Sequence, residues 1–204
     1  PSAVRRPPSA VRRPPSAVPS FSPTATPTTQ RVTGLRLSGA TIAAIFTDVI
    51  TMWNDPRIAA DNPGLALPAI RIIPVVRTDG SGVTAEFTQW MIATEPSYWT
   101  ANCAKVGRSP CTAISFYPIV PGSAMVGQAG DLGVSGYVSQ AGADGAIGLS
   151  EYSYALETGL PVAKVLNAAG YYTEPTPGNV GVSLLNAKVD MNPGDPLYGT
   201  EDLS

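Results

Sequence analysis

The chain has 204 residues, 44% of them hydrophobic and only 14% charged, room for one globular domain or a small domain with a tail, and no apolar run that could span a bilayer. Its net charge is −2, but four arginines (Arg5, Arg6, Arg12, Arg13) lie in the first 13 residues, so the remainder holds 9 basic against 15 acidic residues and offers no general patch for nucleic acid. The absence of histidine excludes Ser-His-Asp and Cys-His catalysis and most zinc sites.

The chain opens on Pro1 and reaches its first methionine at Met52, so the natural start, and any signal peptide, is expected upstream. Residues 1–34 form a Pro/Arg/Ser/Thr-rich segment that opens with Pro-Ser-Ala-Val-Arg-Arg-Pro twice. Proline at each repeat junction excludes a coiled coil, so an extended, solvated linker is expected, or an expansion without function.

From Leu35 the texture becomes that of a folded lobe, expected over residues 35–188. Leu35-Arg36-Leu37 reads as a short strand, and Ser38 or Gly39 opens a helix whose apolar face is Ile42, Ala43, Ile45 and Phe46. Asp55 caps a helix with Pro56 at its first position, and Asn62-Pro63-Gly64 ends it. Residues 70–76 read as a strand, and Ser81 caps the next helix, stopped by Glu95-Pro96. Residues 114–120 read as a strand, and 127–133 as a flexible approach to a helix over 134–141. Residues 145–149 read as a short buried strand, followed by a helix opened by Ser150 and Glu151, a strand at 162–166 and a last helix over 176–188. Residues 189–204 read as a linker or a return to another lobe. Alternating strands and helices give an α/β class, a small mixed sheet flanked by helices. The tryptophans Trp53, Trp90 and Trp99 are expected in packing, as are Tyr152 and Tyr154, and Glu151 as a cap residue. Asp131 and Ser135 could border a cleft, but spacing assigns them no role.

Cys103 and Cys111 enclose seven residues that include Gly107 and Pro110. In an oxidising compartment they can close a local disulfide; in a reducing one they would be two buried thiols. The segment reads as an exposed loop, which favours the bridge.

Most of the chemistry lies in Arg77-Thr78-Asp79-Gly80-Ser81-Gly82-Val83-Thr84, between the 70–76 strand and the helix that follows. Helix N-termini present unpaired N–H donors and the positive end of a dipole, and glycine lets a ligand approach the backbone. Arginine adds planar, permanently charged donors, which Asp79 can orient. The same residues also suit an ordinary strand–turn–helix joint with Ser81 as N-cap. Local spacing alone leaves both readings open.

Wider motifs carry a resemblance. Leu35-Arg36-Leu37-Ser38-Gly39-Ala40-Thr41-Ile42, Ile45-Phe46, Ile50, Trp53-Asn54-Asp55-Pro56, Asn62-Pro63-Gly64, Leu67-Pro68 and Arg77-Thr78-Asp79-Gly80-Ser81-Gly82 occur in order. With Gly145-Ala146-Ile147-Gly148 and Glu151-Tyr152-Ser153-Tyr154-Ala155, the chain resembles the phosphate-binding (PstS-type) substrate receptors of bacterial phosphate ABC importers, especially high-G+C Gram-positive members. The resemblance implies a type II periplasmic-binding-protein fold, of which this chain covers mostly the second lobe, and capture of inorganic phosphate without chemistry, cofactor or metal. Phosphate and the permease subunits of the ABC transporter are the implied partners. The location is implied to be extracytoplasmic, with membrane association only through an N-terminal anchor absent from these residues or through the permease. Arg77 would clamp phosphate, Asp79 would orient Arg77, and Ser81, Gly82 and Val83 would donate hydrogen bonds.

The family usually has threonine at the place of Val83, so one hydroxyl donor is lost, about 1.5–3 kcal/mol where the ligand is charged. Thr84 points about 100° away on a helix. The family's first-lobe contribution to the cage is expected to be missing. A truncated lobe with weak or no phosphate binding, acting as a surface scaffold, is the alternative. A phosphohydrolase using Ser81 or Asp79 is disfavoured, since neither histidine nor an acidic metal cluster is present to activate it.

Overall fold

Side-chain caps start the helices that the sequence announces most clearly. In the computed structural model, which describes residues 31–185, 188–189, 191–194 and 201–202, the strand β1 (Arg36–Leu37) runs into α1 (Gly39–Phe46). The Ser38 side chain accepts the Thr41 N–H at that junction. Asp55 caps α2 (Pro56–Asp61), with proline at the first turn, where its missing N–H costs nothing. The Pro/Arg repeat and the rest of residues 1–30 lie outside the described residues.

The strand β2 (Ile73–Arg77) is the centre of a three-stranded parallel sheet, flanked by β3 (Val126–Gln128) and β4 (Ala146–Gly148). Val75 and Val76 are fully buried there. Pro74 is tolerated in this central strand because the β3 ladder begins only at Val75, while Ile73 and Val75 bond toward β4. Gly145 leads into β4 with φ of 88°, and a Cβ on it would lie 2.2 Å from the Arg71 carbonyl oxygen. Only glycine fits such a combination of left-handed backbone and close approach.

A second sheet has the order β1-β5-β6, with β5 (Lys164–Leu166) parallel to β1 and β6 (Tyr172–Thr173) antiparallel to β5. The outer edge of β1 is closed by side chains. Asn62 Oδ1 accepts the Arg36 N–H at 2.8 Å, Asn62 Nδ2 donates to the Arg36 carbonyl at 2.7 Å, and Asp61 Oδ2 accepts the Ser38 N–H at 2.8 Å. The strands β1 to β6 therefore form two small sheets rather than one. Beyond α7 (Pro177–Leu184), β7 (Lys188–Val189) and β8 (Glu201–Asp202) pair antiparallel, so the expected C-terminal linker carries backbone pairing; residues 186, 187, 190, 195–200, 203 and 204 lie outside the described residues.

Glu95-Pro96 ends α3 (Gly82–Thr94) as expected, and a further helix, α4 (Pro96–Lys105), follows at once with Pro96 in its first turn. Three expectations are corrected. Cys103 is therefore a buried residue of α4, not part of an exposed loop, and it forms a disulfide with Cys111. Residues 114–120 are not a strand. They run as an irregular strap, with Ile114, Tyr117 and Val120 buried. Its polar groups go to helices: Thr88 Oγ1 accepts the Ile114 N–H at 2.9 Å, and Tyr117 donates its hydroxyl to the Phe46 carbonyl at 2.6 Å. Finally, residues 127–133 are no flexible approach but the end of β3 and the start of α5 (Gly130–Ser139).

The core joins Phe46, Phe87, Tyr117 and Trp99 in a run of ring contacts, with Trp90 stacked on Phe87 at 5.6 Å. Trp53 is buried and donates its indole N–H to the Gly145 carbonyl at 2.9 Å. All three tryptophans thus serve packing. Tyr152 and Tyr154 lie on α6 (Tyr152–Glu157), with Glu151 at its N-cap position but without a side-chain cap bond.

Candidate functional site

Parallel pairing puts the C-terminal ends of β2 and β3 side by side, Arg77 opposite Gln128. The turn after β2 starts α3, and the turn after β3 starts α5, so two helix N-termini meet around the Arg77 side chain. Crevices outside the carboxyl ends of parallel strands are where α/β sheets ordinarily take ligands.

Arg77 is held from two sides. Asp79 takes one edge of the guanidinium, Nε to Oδ1 at 2.7 Å and Nη2 to Oδ2 at 2.5 Å. Asp131, in the first turn of α5, accepts Nη1 through Oδ2. The Arg77 side chain is 11% exposed, Asp131 7% and Asp79 42%, so the pair to Asp131 is the sheltered one. Three of the five guanidinium N–H donors are engaged in this way among the described residues, and two are left. The Asp79 and Asp131 carboxylates raise the Arg77 pKa further, chiefly through the Asp79 hydrogen bonds. In return, the Arg77 hydrogen bond, seconded by the Gly130 N–H at 3.0 Å, holds Asp79 far below the usual carboxylate range.

Ser81 is buried and extended at the N-cap of α3. Its Oγ accepts the Thr84 N–H at 3.2 Å, and its own N–H donates to the Ser115 carbonyl at 2.9 Å. The strap therefore forms the back of the turn. The next two N–H groups, of Gly82 and Val83, have no hydrogen-bond partner among the described residues, as expected for the first turn of a helix. Gly82 faces open space, with nothing within 4 Å of where a Cβ would stand. Phe116 closes the other side of the turn, its ring 3.3 Å from where a Gly80 Cβ would lie.

Arg77, Asp79, Ser81, Gly82 and Val83, singled out in the sequence, thus share one turn. The turn groups residues suited to an oxyanion: a guanidinium with two donors left among the described residues, open N–H groups and a helix N-terminus, without a nucleophile–base pair. The bridge between Cys103 of α4 and Cys111, just ahead of the strap, contributes no hydrogen bond to this turn among the described residues. Sequence reasoning gave Asp131 no role. Its signal lay in long-range register, since residue 128 pairs with Arg77 and Asp131 follows within one helical turn.

A family model described as a PBP superfamily domain matches residues 22–204. The chain belongs to the PBP superfamily. The Phosphate-binding protein PstS of Xylella fastidiosa is 37% identical over 153 residues, which is 75% of this chain and 38% of that protein. The Phosphate-binding protein PstS 2 of Mycobacterium tuberculosis is 31% identical over 169 residues, 81% of this chain and 41% of that one. The chain therefore spans about two fifths of the length of these curated relatives. In fold it is similar to a high-affinity periplasmic phosphate-binding protein (PfluDING) solved with phosphate, with a TM-score of 0.55 at 23% identity, covering 77% of this chain and 41% of that chain. The resemblance carried by the motifs is that of the curated relatives, which are named as binding proteins. Among the described residues no helix is long and apolar enough to cross a membrane.

Proposed function

We propose that this chain contributes a phosphate-binding lobe to the substrate receptor of an ABC importer, working outside the cytoplasm and performing no chemistry. Residues 35–188 are the α/β lobe in this reading, and residues 189–204 the connection toward a first lobe. One observation carries the reading: the fixed Arg77 guanidinium and the open N–H groups of Gly82 and Val83 stand at the two ends of one short strand-to-helix turn. The relatives' names support inorganic phosphate as the anion. Arg77 clamps, Asp79 orients it, Ser81 offers its hydroxyl, and Gly82 and Val83 their backbone donors. The scaffold alternative draws no support from those relatives.

Isothermal titration of the full chain with inorganic phosphate tests the reading. Saturable binding is expected, weakened about a hundredfold or more in Arg77→Ala, because charge-assisted hydrogen bonds to the ligand are lost. No heat and no competition at millimolar phosphate in the wild-type chain would refute it.

A further inference from the structure

Among the described residues Arg77 has two carboxylate partners, which reach it from separate stretches of chain. Asp79, in the turn itself, takes the Nε–Nη2 edge with two hydrogen bonds, but it is the exposed partner, open to competition from water. Asp131 takes Nη1 from the first turn of α5 and is buried. Its other oxygen, Oδ1, accepts the N–H of Glu151, the N-cap residue of α6, at 3.1 Å, so this carboxylate is itself anchored on both oxygens. The preceding residue reaches the same cluster, because the Gly130 N–H donates to Asp79 Oδ1 at 3.0 Å.

Seating α5 on the sheet does not require the Asp131 pair. Val134 of α5 is buried and packs on β4, where a Cβ on Gly148 would lie 2.8 Å from its Cγ1. A buried ion pair also adds little net stability, since desolvation offsets much of the attraction. What the pair does supply is a fixed direction for Nη1. A guanidinium free to rotate must be immobilised when an anion binds, which costs roughly two- to tenfold in affinity for a long side chain. Asp79 removes that freedom by fixing one edge, and Asp131 removes it by fixing the remaining nitrogen from a sheltered position. With either in place the group stays oriented.

We propose that Asp131 is a second positioning residue for Arg77, sharing with Asp79 the work of presenting the guanidinium to the anion, so that orientation is lost only when both are removed. The inference rests on the phosphate reading above and deepens it by naming a residue that sets the clamp without touching the ligand. Each carboxylate also puts a negative charge near the anion. Those two charge effects add independently, so comparing single and double variants cancels them and leaves the shared hold on Arg77.

The first measurement needs no ligand. In side-chain nitrogen NMR of the full chain, slow rotation about Cζ–Nη1 reports the Asp131 bond and a protected Nε–H reports the Asp79 bond. Asp131→Asn keeps an oxygen for the Glu151 N–H and turns an amide donor toward Nη1, so it is expected to release Nη1 while the Nε–H stays protected. Asp79→Ala is expected to do the reverse, and the two substitutions together to free the whole group. The second measurement is calorimetric titration of the wild type, both single variants and the double variant with inorganic phosphate. The double variant is expected to lose more than about twofold in affinity beyond the product of the single effects. Agreement with that product to within about twofold would overturn the proposal while leaving phosphate binding standing. So would an Nη1 signal indifferent to Asp131→Asn, or a single substitution that frees the whole guanidinium. Should the double variant not fold, the single-variant spectra decide. Absence of phosphate binding by the wild-type chain would overturn the phosphate reading and this proposal with it, whatever the spectra show.

Discussion

Val83 is the second residue of α3, so its N–H faces the open end of the helix while its isopropyl group offers no donor. Val83→Thr restores a hydroxyl at that position and is expected to tighten phosphate binding roughly tenfold, about 1.4 kcal/mol. Calorimetry on the two proteins checks it; equal affinities would put the hydroxyl out of the ligand's reach. Thr84 does not substitute, being fully buried with its hydroxyl unpartnered and its N–H committed to Ser81. At this scale the grouping of the candidate residues was legible in the sequence, because Arg77, Asp79, Ser81, Gly82 and Val83 are neighbours along the chain. Asp131 was not, because it lies 54 residues from Arg77 and meets it only through the parallel register of β2 and β3.

Among the elements, the strap and the residues that lead into it link the disulfide to the turn after β2: Cys111 is bridged to α4, and Ser115 holds the Ser81 N–H. The bridge spans a sequence separation of 8, for which loop-closure entropy gives a stabilisation of about 2.5 kcal/mol. Replacing both Cys103 and Cys111 with serine is expected to lower unfolding stability by about that amount in a urea titration, with little change in slope. A loss below about 0.5 kcal/mol would mean the strap is held by its burial alone. The caps at Ser38, Asp55 and Ser81 could be read locally because a hydroxyl or carboxylate before a helix acts on its own backbone. The strap could not. Its apolar residues suit a strand, but their partners are α3 and the Phe46 carbonyl, so tertiary packing overrode β-propensity. The helix α4 went unread for a simpler reason: the proline that marks the end of one helix suits the first turn of the next as well.

In the whole molecule, the absence of histidine and the ion pairs at Asp55 and Asp79 set the response to pH. The hydrogen bonds from Arg57 and Arg77 lower the folded pKa of Asp55 and Asp79, respectively. Each therefore contributes stability that is complete above the unfolded carboxylate value of about 4 and is lost as pH falls through the folded value. Both groups are partly exposed, so solvent screens the contribution. The melting temperature is expected to be level between about pH 5 and about pH 8 and to decline only in stronger acid. A marked drop between neutrality and pH of about 5 would reveal a titrating group that this account omits. The α/β class followed from alternating signals, whereas the division of β1 to β6 into two sheets did not, since which strands pair is decided by long-range packing.

The Asn62 amide occupies the outer edge of β1 as another strand would, offering an acceptor and a donor to one residue, and Asp61 takes the next N–H. On the opposite side, β6 has no strand partner among the described residues. A sheet with one edge sealed by its own side chains can be extended from the other edge only. Two copies could join edge to edge through β6, but the pair would then present a sealed border on each flank, and growth would stop there. Strand exchange through this sheet is thus limited to closed dimers, and the seal at Asn62 is what denies it a route to fibres.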